Sequence, residues 1–557
     1  MTRAAGVRVD LRPDRTWAPA GSVIRSAVTV DSDRPRRLLV TLELLDLDRV
    51  VASTERRIRT EAATRRLRLG VPLPAARRHG YGLGASVRGP DGSPLASASS
   101  AVEAIEGWWE SPRHAALIEY RDAADGARRA QALRDWHVTV VQAYDWMWRH
   151  YRYTPPDDAD AFTDTLGQPV SHAALRAAMR GAGAVGIATL AYGSVYGAER
   201  EYVDRHPDDR VFDAAGEPLS LGGTFFINDV RPGTHWRETL LAEYERAMRA
   251  FPFAGIHMDT YGPPWTAVAA DGESMVFREL YPGLIEEAAE RVTRIHYGRV
   301  LFNCVEGFPL EDVALAPMAA LYLELWPPDD RYRHIVEWID RAHMVANGRA
   351  VVIAAYAAAL RSATTDADRI RAIESSILLD CIILAAGAYH HTLAEGDRLI
   401  VEGYYPAAVA LLPAEKAELQ AAWRFSARYC HLLSGARDAV EPADAGSLRI
   451  LDAAGAPVPT TTCPAAGHVW LRAGRLGGAR VVQMVDLRSQ VDDRWDTGRQ
   501  ASPPVDGWRV AGSSMVRPVA ASPWTADGDA LSLEPTDGDR AWVLPPFRRW
   551  LMLVEGA

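Results

Sequence analysis

Between residues 6 and 105, apolar and polar positions alternate in short stretches separated by turn residues. Gly6-Val-Arg-Val-Asp, Ser22-Val-Ile-Arg-Ser-Ala-Val-Thr-Val, Leu38-Leu-Val-Thr-Leu-Glu-Leu-Leu and Tyr81-Gly-Leu-Gly-Ala-Ser-Val-Arg follow this pattern, with Gly89-Pro-Asp-Gly as a turn. Period-two alternation puts one face of each strand on a core and the other in water, which predicts an antiparallel sandwich of immunoglobulin type over residues 1–108. From about residue 110 the pattern changes. Apolar, β-branched runs at 138–144, 184–193, 224–229, 253–259, 299–304, 320–325, 350–356 and 386–391 alternate with amphipathic stretches such as 235–251 and 276–297. Eight such units over residues 109–436 predict a central (β/α)8 TIM barrel, whose functional residues gather at the strand C-termini. An open doubly wound sheet is the alternative, but no Gly-rich dinucleotide turn follows any run. Residues 437–557 return to short strands with Gly, Pro and Asp turns, predicting a C-terminal all-β domain of sandwich type that buttresses the barrel.

Two of the central runs end on a carboxylate: Gly255-Ile-His-Met-Asp259-Thr-Tyr-Gly and Leu321-Tyr-Leu-Glu324-Leu-Trp326-Pro-Pro. A carboxylate at the tip of a buried strand is costly, because water is scarce there, and such groups concentrate where chemistry is done. A pair of them with aromatic residues alongside is what glycoside cleavage needs. One group attacks or stabilises an oxocarbenium-like centre, the other protonates the leaving oxygen, and rings stack on sugar faces. The other expected tips are equally polar or aromatic: Tyr144-Asp145-Trp146, Tyr192-Gly, Asn228-Asp229, Asn303, Tyr356 and His390-His391. Side chains alternate along a strand, so His257 shares a face with Asp259 and is placed to orient it or to bind sugar hydroxyls. His390 and His391 face opposite ways, and His390 is read as sugar-binding. Trp (17) outnumbers Phe (11), and Trp146, Trp148, Trp265 and Trp326 stand beside strand tips, as carbohydrate platforms would.

Composition narrows the function classes. The net charge of −10 argues against nucleic acid as a partner. Lys416 is the sole lysine, in a polar helix start, so Schiff-base and pyridoxal chemistry has no suitable anchor, and no phosphate-cradling Gly-Lys-Ser/Thr loop occurs. Cys304, Cys381, Cys430 and Cys463 lack metal-type spacing. An amidohydrolase-type metal barrel needs His-x-His on its first strand, where Tyr-Asp-Trp stands instead. Two-carboxyl chemistry calls for neither metal nor cofactor. No apolar segment of about 18 residues suggests a membrane span, and no apolar leader core is visible near the N-terminus, so a cytoplasmic protein with no membrane partner is expected.

The chain resembles glycoside hydrolase family 66, the dextranases and cycloisomaltooligosaccharide glucanotransferases. The resemblance rests on five strings in order: Gln142-Ala-Tyr144-Asp145-Trp146-Met-Trp148-Arg-His150, Ala191-Tyr192-Gly-Ser-Val-Tyr196-Gly197-Ala, Gly255-Ile-His257-Met-Asp259, Tyr322-Leu-Glu324-Leu-Trp326-Pro, and Gly387-Ala-Tyr389-His390 with Glu402-Gly-Tyr404-Tyr405-Pro406. It implies a retaining hydrolase of α-1,6-linked glucan, with an oligosaccharide substrate, Asp259 as nucleophile, Glu324 as acid/base and Asp145 binding substrate near the cleaved bond. Trp148, His150, Tyr192, Asn228, His257, Asn303, Trp326, Tyr356 and His390 complete the expected substrate-binding set. The barrel region carries no long sugar-binding insertion of the kind cyclising members have, so hydrolysis is expected ahead of cyclisation. A barrel glycosidase for another small glycoside would keep both acids and change the stacking rings. A catalytically weak carbohydrate-binding protein would be expected to have lost one acid, and both are present.

Overall fold

The computed structural model describes residues 6–434, 448–476, 478–512, 518–536 and 541–555. The expected start of the C-terminal domain at residue 437 lies outside the described residues. Three hydrophobic cores organise the chain. In the N-terminal region a three-stranded and a five-stranded sheet face one core built from Val7 to Ala104. The strand Val7–Pro13 buries every second residue, as its sequence alternation requires.

The central region is a barrel-like parallel sheet. Its strands, in chain order, are β1 (His114–Leu117), β2 (Val140–Ala143), β3 (Ala188–Ser194), β4 (Gly255–Asp259), β5 (Arg299–Val305), β6 (Leu321–Glu324), β7 (Val351–Ala354) and β8 (Tyr389–His391). Each pairs in parallel with the next. Leu393–Ala394, just past β8, then pairs in parallel with Ala115–Ala116 of β1, so the sheet curls back onto its first strand. Helices such as His172–Ala184, His235–Ala250, Phe277–Thr293, Tyr332–Val345 and Asp366–Ala386 run between strands. Ser171, Thr234 and Thr365 cap three of them by accepting a first-turn backbone N–H.

Two strand expectations are corrected. Residues 224–229 are not part of this sheet: Phe225–Ile227 pairs antiparallel with Gly197–Ala198 and Ser220–Leu221 in a small excursion after β3. The first strand is instead His114–Leu117, all four residues buried. Its His-Ala-Ala-Leu sequence has no β-branched residue, so propensity does not reveal it; burial between two neighbouring strands makes it a strand.

In the C-terminal region a six-stranded sheet has three strands, Val469–Leu476, Ala479–Asp486 and Trp550–Glu555, that are largely buried on both faces. Leu471, Ala473, Val482, Met484, Leu551 and Leu553 point into that region's own core, while Trp470, Val481, Val485, Trp550 and Met552 join the central core. Trp470 and Trp550 are fully buried and are packing residues, not sugar platforms. Buried ion pairs join the regions. Arg113, beside β1, bonds Glu103 of the N-terminal sheet and the His137 carbonyl (2.6 Å). Arg549 bonds Glu374 (2.6 Å) and Glu418 (2.7 Å) on central helices.

Gly255 opens β4 with φ +156, and a Cβ there would lie 1.8 Å from the Arg299 carbonyl oxygen of β5. Only glycine lets these two strands approach, and they carry Asp259 and Asn303 at their other ends. Gly255→Ala is expected to destabilise the fold by on the order of 2–4 kcal/mol, read as a lowered denaturant midpoint, because backbone must move to relieve the clash. An unchanged midpoint would show that the strand pair has slack there.

Candidate active site

The site is built at the C-terminal ends of β2 to β7. Register sets Met258 of β4 beside Phe302 of β5, and Asn303 of β5 beside Tyr322 of β6, so Asp259, Asn303 and Glu324 come out at neighbouring tips. The Asn303 side-chain nitrogen donates to both acids, at 3.2 Å to Asp259 Oδ1 and 2.9 Å to Glu324 Oε2. One nitrogen serving both confines those two oxygens to within about 6 Å of each other, the scale on which a glycosidase's acid pair works. The Tyr356 hydroxyl donates to Glu324 Oε1 and lies 3.0 Å from the Tyr405 hydroxyl.

Burial pushes Asp259 up to about 8, and the Glu324 charge adds to it; the Asn303 bond pulls the other way. Burial raises Glu324 as well, against bonds from Tyr356, Asn303 and Trp326 that lower it. Two neighbouring carboxyls in one enclosed space titrate as a pair, and both are biased toward the protonated form.

An aromatic wall runs past this pair. Tyr192 contacts Tyr144 (ring centroids 5.0 Å apart), Tyr144 stacks on Tyr405 (4.4 Å), Tyr405 meets Tyr356 (5.7 Å), and Tyr356 meets Trp326 (5.1 Å). Tyr192 also accepts from Thr260 Oγ1 at 3.1 Å. On the β2 side, Asp145 takes a left-handed backbone (φ +43), and its Oδ1 faces His150 Nε2 at 3.9 Å. Burial pushes Asp145 up to about 7, countered by His150 and reinforced by Asp164 and Glu199. Thus Asp145, His150, Tyr192, Asn303, Trp326 and Tyr356 are brought together around Asp259 and Glu324.

Other expected residues lie elsewhere. Asn228 is fully buried and spends its amide on the Tyr196 and Phe226 carbonyls (both 2.9 Å), holding the small antiparallel excursion. His390 points outward from the sheet, with Nδ1 2.5 Å from Asp380 and Nε2 2.8 Å from the Ala355 carbonyl. Strand alternation sends His391 inward instead, where its Nδ1 meets the Tyr322 hydroxyl at 2.6 Å. His257 does face inward like Asp259, but one layer deeper. It bonds Gln142 and packs edge-on to Tyr322 and His114, fully buried. Burial holds His114 down to about 3 and drives His257 and His391 well below the usual histidine range, so this interior layer is neutral beneath the acids.

Trp146 is a core residue packed on Phe251 and Phe253, with no exposed surface. Trp148 carries the Arg149 guanidinium over its ring, and Trp265 stacks on Phe308. No ring contact joins either to the wall. Tyr405, Asp164 and Glu199 belong to the site region and were not among the residues expected from the sequence. Tyr405 lies in the Glu402-Gly-Tyr404-Tyr405-Pro406 segment, whereas Asp164 and Glu199 sit on loop segments with no local signal. Among the described residues, Asp46-His79-His431 and His206-Asp209-His235 are the clusters with metal-compatible spacing, and neither includes a residue of this site. No helix among the described residues is long and apolar enough to cross a membrane.

A curled parallel sheet with paired carboxyls and a tyrosine wall at its strand tips defines a glycoside-active enzyme. The chain belongs to glycosyl hydrolase family 66, whose family model matches residues 15–536. Two cycloisomaltooligosaccharide glucanotransferases of Niallia circulans are similar to it, at 22% identity over 288 residues and 24% over 292. Each match spans 48% of this chain but only 30% of the relative's length. A crystal structure of a Paenibacillus sp. cycloisomaltooligosaccharide glucanotransferase complexed with cycloisomaltoheptaose superposes with a TM-score of 0.85 at 17% identity, covering 98% of this chain and 100% of that one. An α-amylase from Geobacillus thermoleovorans, complexed with acarbose, gives a TM-score of 0.51 at 9% identity over 80% of this chain and 99% of its own. At such identities the likeness speaks for the fold.

The raised Asp259 carboxyl has a consequence for stability. Its folded-state value lies above the unfolded one, so its contribution is full below the unfolded value and is lost as pH rises through the folded value. Asp259→Asn, which cannot ionise, is therefore expected to gain thermal stability over the parent as pH rises from about 4 to about 8, with a constant gap beyond. Parallel melting curves for the two proteins across that range would exclude a raised Asp259.

Proposed function

We propose that this chain is a retaining glycosidase of α-1,6-linked glucan, acting on dextran or isomaltooligosaccharides through a covalent glycosyl-enzyme intermediate. The carrying observation is the single Asn303 nitrogen bonded to both carboxyls. Retaining enzymes hold their carboxyl groups about 5–5.5 Å apart, and inverting ones roughly 6.5–9.5 Å, to make room for a water. A separation capped near 6 Å by the shared donor favours the retaining arrangement. We read the central sheet as a closed (β/α)8 barrel over residues 109–436, flanked by sandwiches over 1–108 and 437–557. The named activity of the similar glucanotransferases supports an α-1,6-glucan substrate.

In this reading Asp259 attacks the anomeric carbon as its bond to the leaving oxygen breaks, and Glu324 gives that oxygen its proton. Positive charge growing at the anomeric carbon stabilises the Asp259 anion beside it, while burial keeps Glu324 in its protonated form as the donor. In the second step Glu324, now a carboxylate, takes a proton from water or from an acceptor sugar hydroxyl. The oxygen so released attacks the anomeric carbon, and the bond to Asp259 breaks. Asn303 steadies both anions in turn, and Tyr356 orients Glu324. The tyrosine wall and Trp326 supply stacking faces, each ring worth about 0.5–1.5 kcal/mol beyond area burial, by analogy with aromatic pairs.

The test is product analysis with dextran, isomaltotriose and a panel of nitrophenyl glycosides. The first-formed anomer should be α. Asp259→Asn should abolish turnover on all of them. Glu324→Gln should lose roughly 10²–10⁴-fold on isomaltotriose while keeping the first step on nitrophenyl substrates, whose leaving group needs no proton. Equal losses on both substrate types would remove Glu324 as the acid, and a β first product would remove the retaining mechanism.

A further inference from the structure

His150 is bound from behind by one residue. Glu199, itself buried, accepts the His150 backbone N–H with both oxygens (3.0 and 3.1 Å) and pairs with His150 Nδ1 at 3.0 Å. Thr165, on the loop between the strands Ala161–Thr163 and Pro169–Ser171, donates its hydroxyl to the same carboxylate. Two separate excursions of the chain, one after β2 and one after β3, thus converge on a single imidazole. With Nδ1 committed to Glu199, Nε2 is left facing Asp145 Oδ1 across 3.9 Å. That gap is too long for a hydrogen bond, and both atoms are within reach of one shared hydroxyl oxygen. Asp145 has a second unmet demand: its Oδ2 is buried with no partner, as is Oδ2 of Asp164 nearby. Buried oxygens without partners are rare enough to need an explanation, and a hydroxyl-rich ligand supplies one.

We propose that Glu199 is a positioning residue that orients His150, so that His150 Nε2 and Asp145 together hold one ring hydroxyl of the sugar seated beside Asp259. Although burial opposes it, the Glu199 bond raises His150 and favours the imidazolium, in which Nδ1–H serves Glu199 and Nε2–H is a second donor. The sugar hydroxyl accepts from Nε2–H and donates to the Asp145 carboxylate. The site then reads the presence of that hydroxyl, and it makes the Glu199–Thr165 pair a determinant of sugar specificity although neither side chain touches the sugar. The inference rests on the glycosidase reading of the same site.

The experiment compares kcat/KM for nitrophenyl α-isomaltoside and for its analogues lacking the 2-, 3- or 4-hydroxyl of the sugar ring next to the cleaved bond. In the wild type, loss of one of these hydroxyls should cost at least roughly tenfold more than loss of the others, as expected when a charged pair is left unmatched. In Glu199→Gln that excess should collapse, while the cost at the other two positions stays as in the wild type. A merely structural Glu199 would lower all four rates together. Thr165→Val, which removes only the outer bond to Glu199, should move the same discrimination in the same direction by a smaller factor, and it carries the test if Glu199→Gln does not fold. An active wild type whose discrimination survives both substitutions overturns the inference alone. A wild type inert toward dextran, isomaltotriose and the nitrophenyl glycoside overturns the glycosidase reading and the inference with it.

Discussion

Everything at the strand tips depends on keeping two carboxyls close together where water is largely excluded. Left alone, such a pair would be driven apart or doubly protonated. Here the Asn303 amide, donating to both Asp259 and Glu324, is the attraction that offsets their repulsion. That amide can only be shared because β4, β5 and β6 are adjacent, parallel and in register, so that three consecutive tips present Asp, Asn and Glu. Gly255 at the base of β4 is part of the same constraint, since any side chain there would collide with β5 before the tips could align.

The inner surface of the sheet changes character with depth. At the mouth stand the acids, Asn303 and the tyrosines; one layer down come Gln142, His257, Tyr322, His391 and His114, buried and hydrogen-bonded or ring-packed among themselves. Burial keeps those histidines uncharged. Protonated histidines at that depth would favour ionised carboxylates above them and pull the raised acids down, so the polar interior is compatible with the site because it stays neutral.

The sequence made the two acids and the general β/α rhythm readable, because a buried strand ending on a carboxylate is a local pattern. It made the inner and outer faces much less readable. His390 and His391 were separable as opposite faces, but which of them looks inward depends on the pairing of β8 with β7, a long-range fact. The run at 224–229 has the composition of a barrel strand and pairs as a hairpin, whereas β1 lacks that composition and is a strand because of its neighbours. Asn228 and Trp146 are the residue types a sugar site uses, yet the first is consumed by backbone carbonyls and the second by core packing. Glu199 and Asp164 left no trace at all, since a partner brought in by a separate loop has no signature near the residue it serves.

The middle of the helix Asp366–Ala386 is engaged twice within two turns. Glu374 is bonded to Arg549 beside the C-terminal sheet, and six residues on Asp380 holds His390, whose other nitrogen grips the Ala355 carbonyl. Ala355 precedes Tyr356, the residue that touches Glu324. The mid-section of this helix is in effect a clamp, fastened to the C-terminal module through Glu374 and to the acid's own strand neighbour through Asp380 and His390. A module that, among its described residues, places no side chain in the catalytic mouth is nonetheless mechanically linked to it.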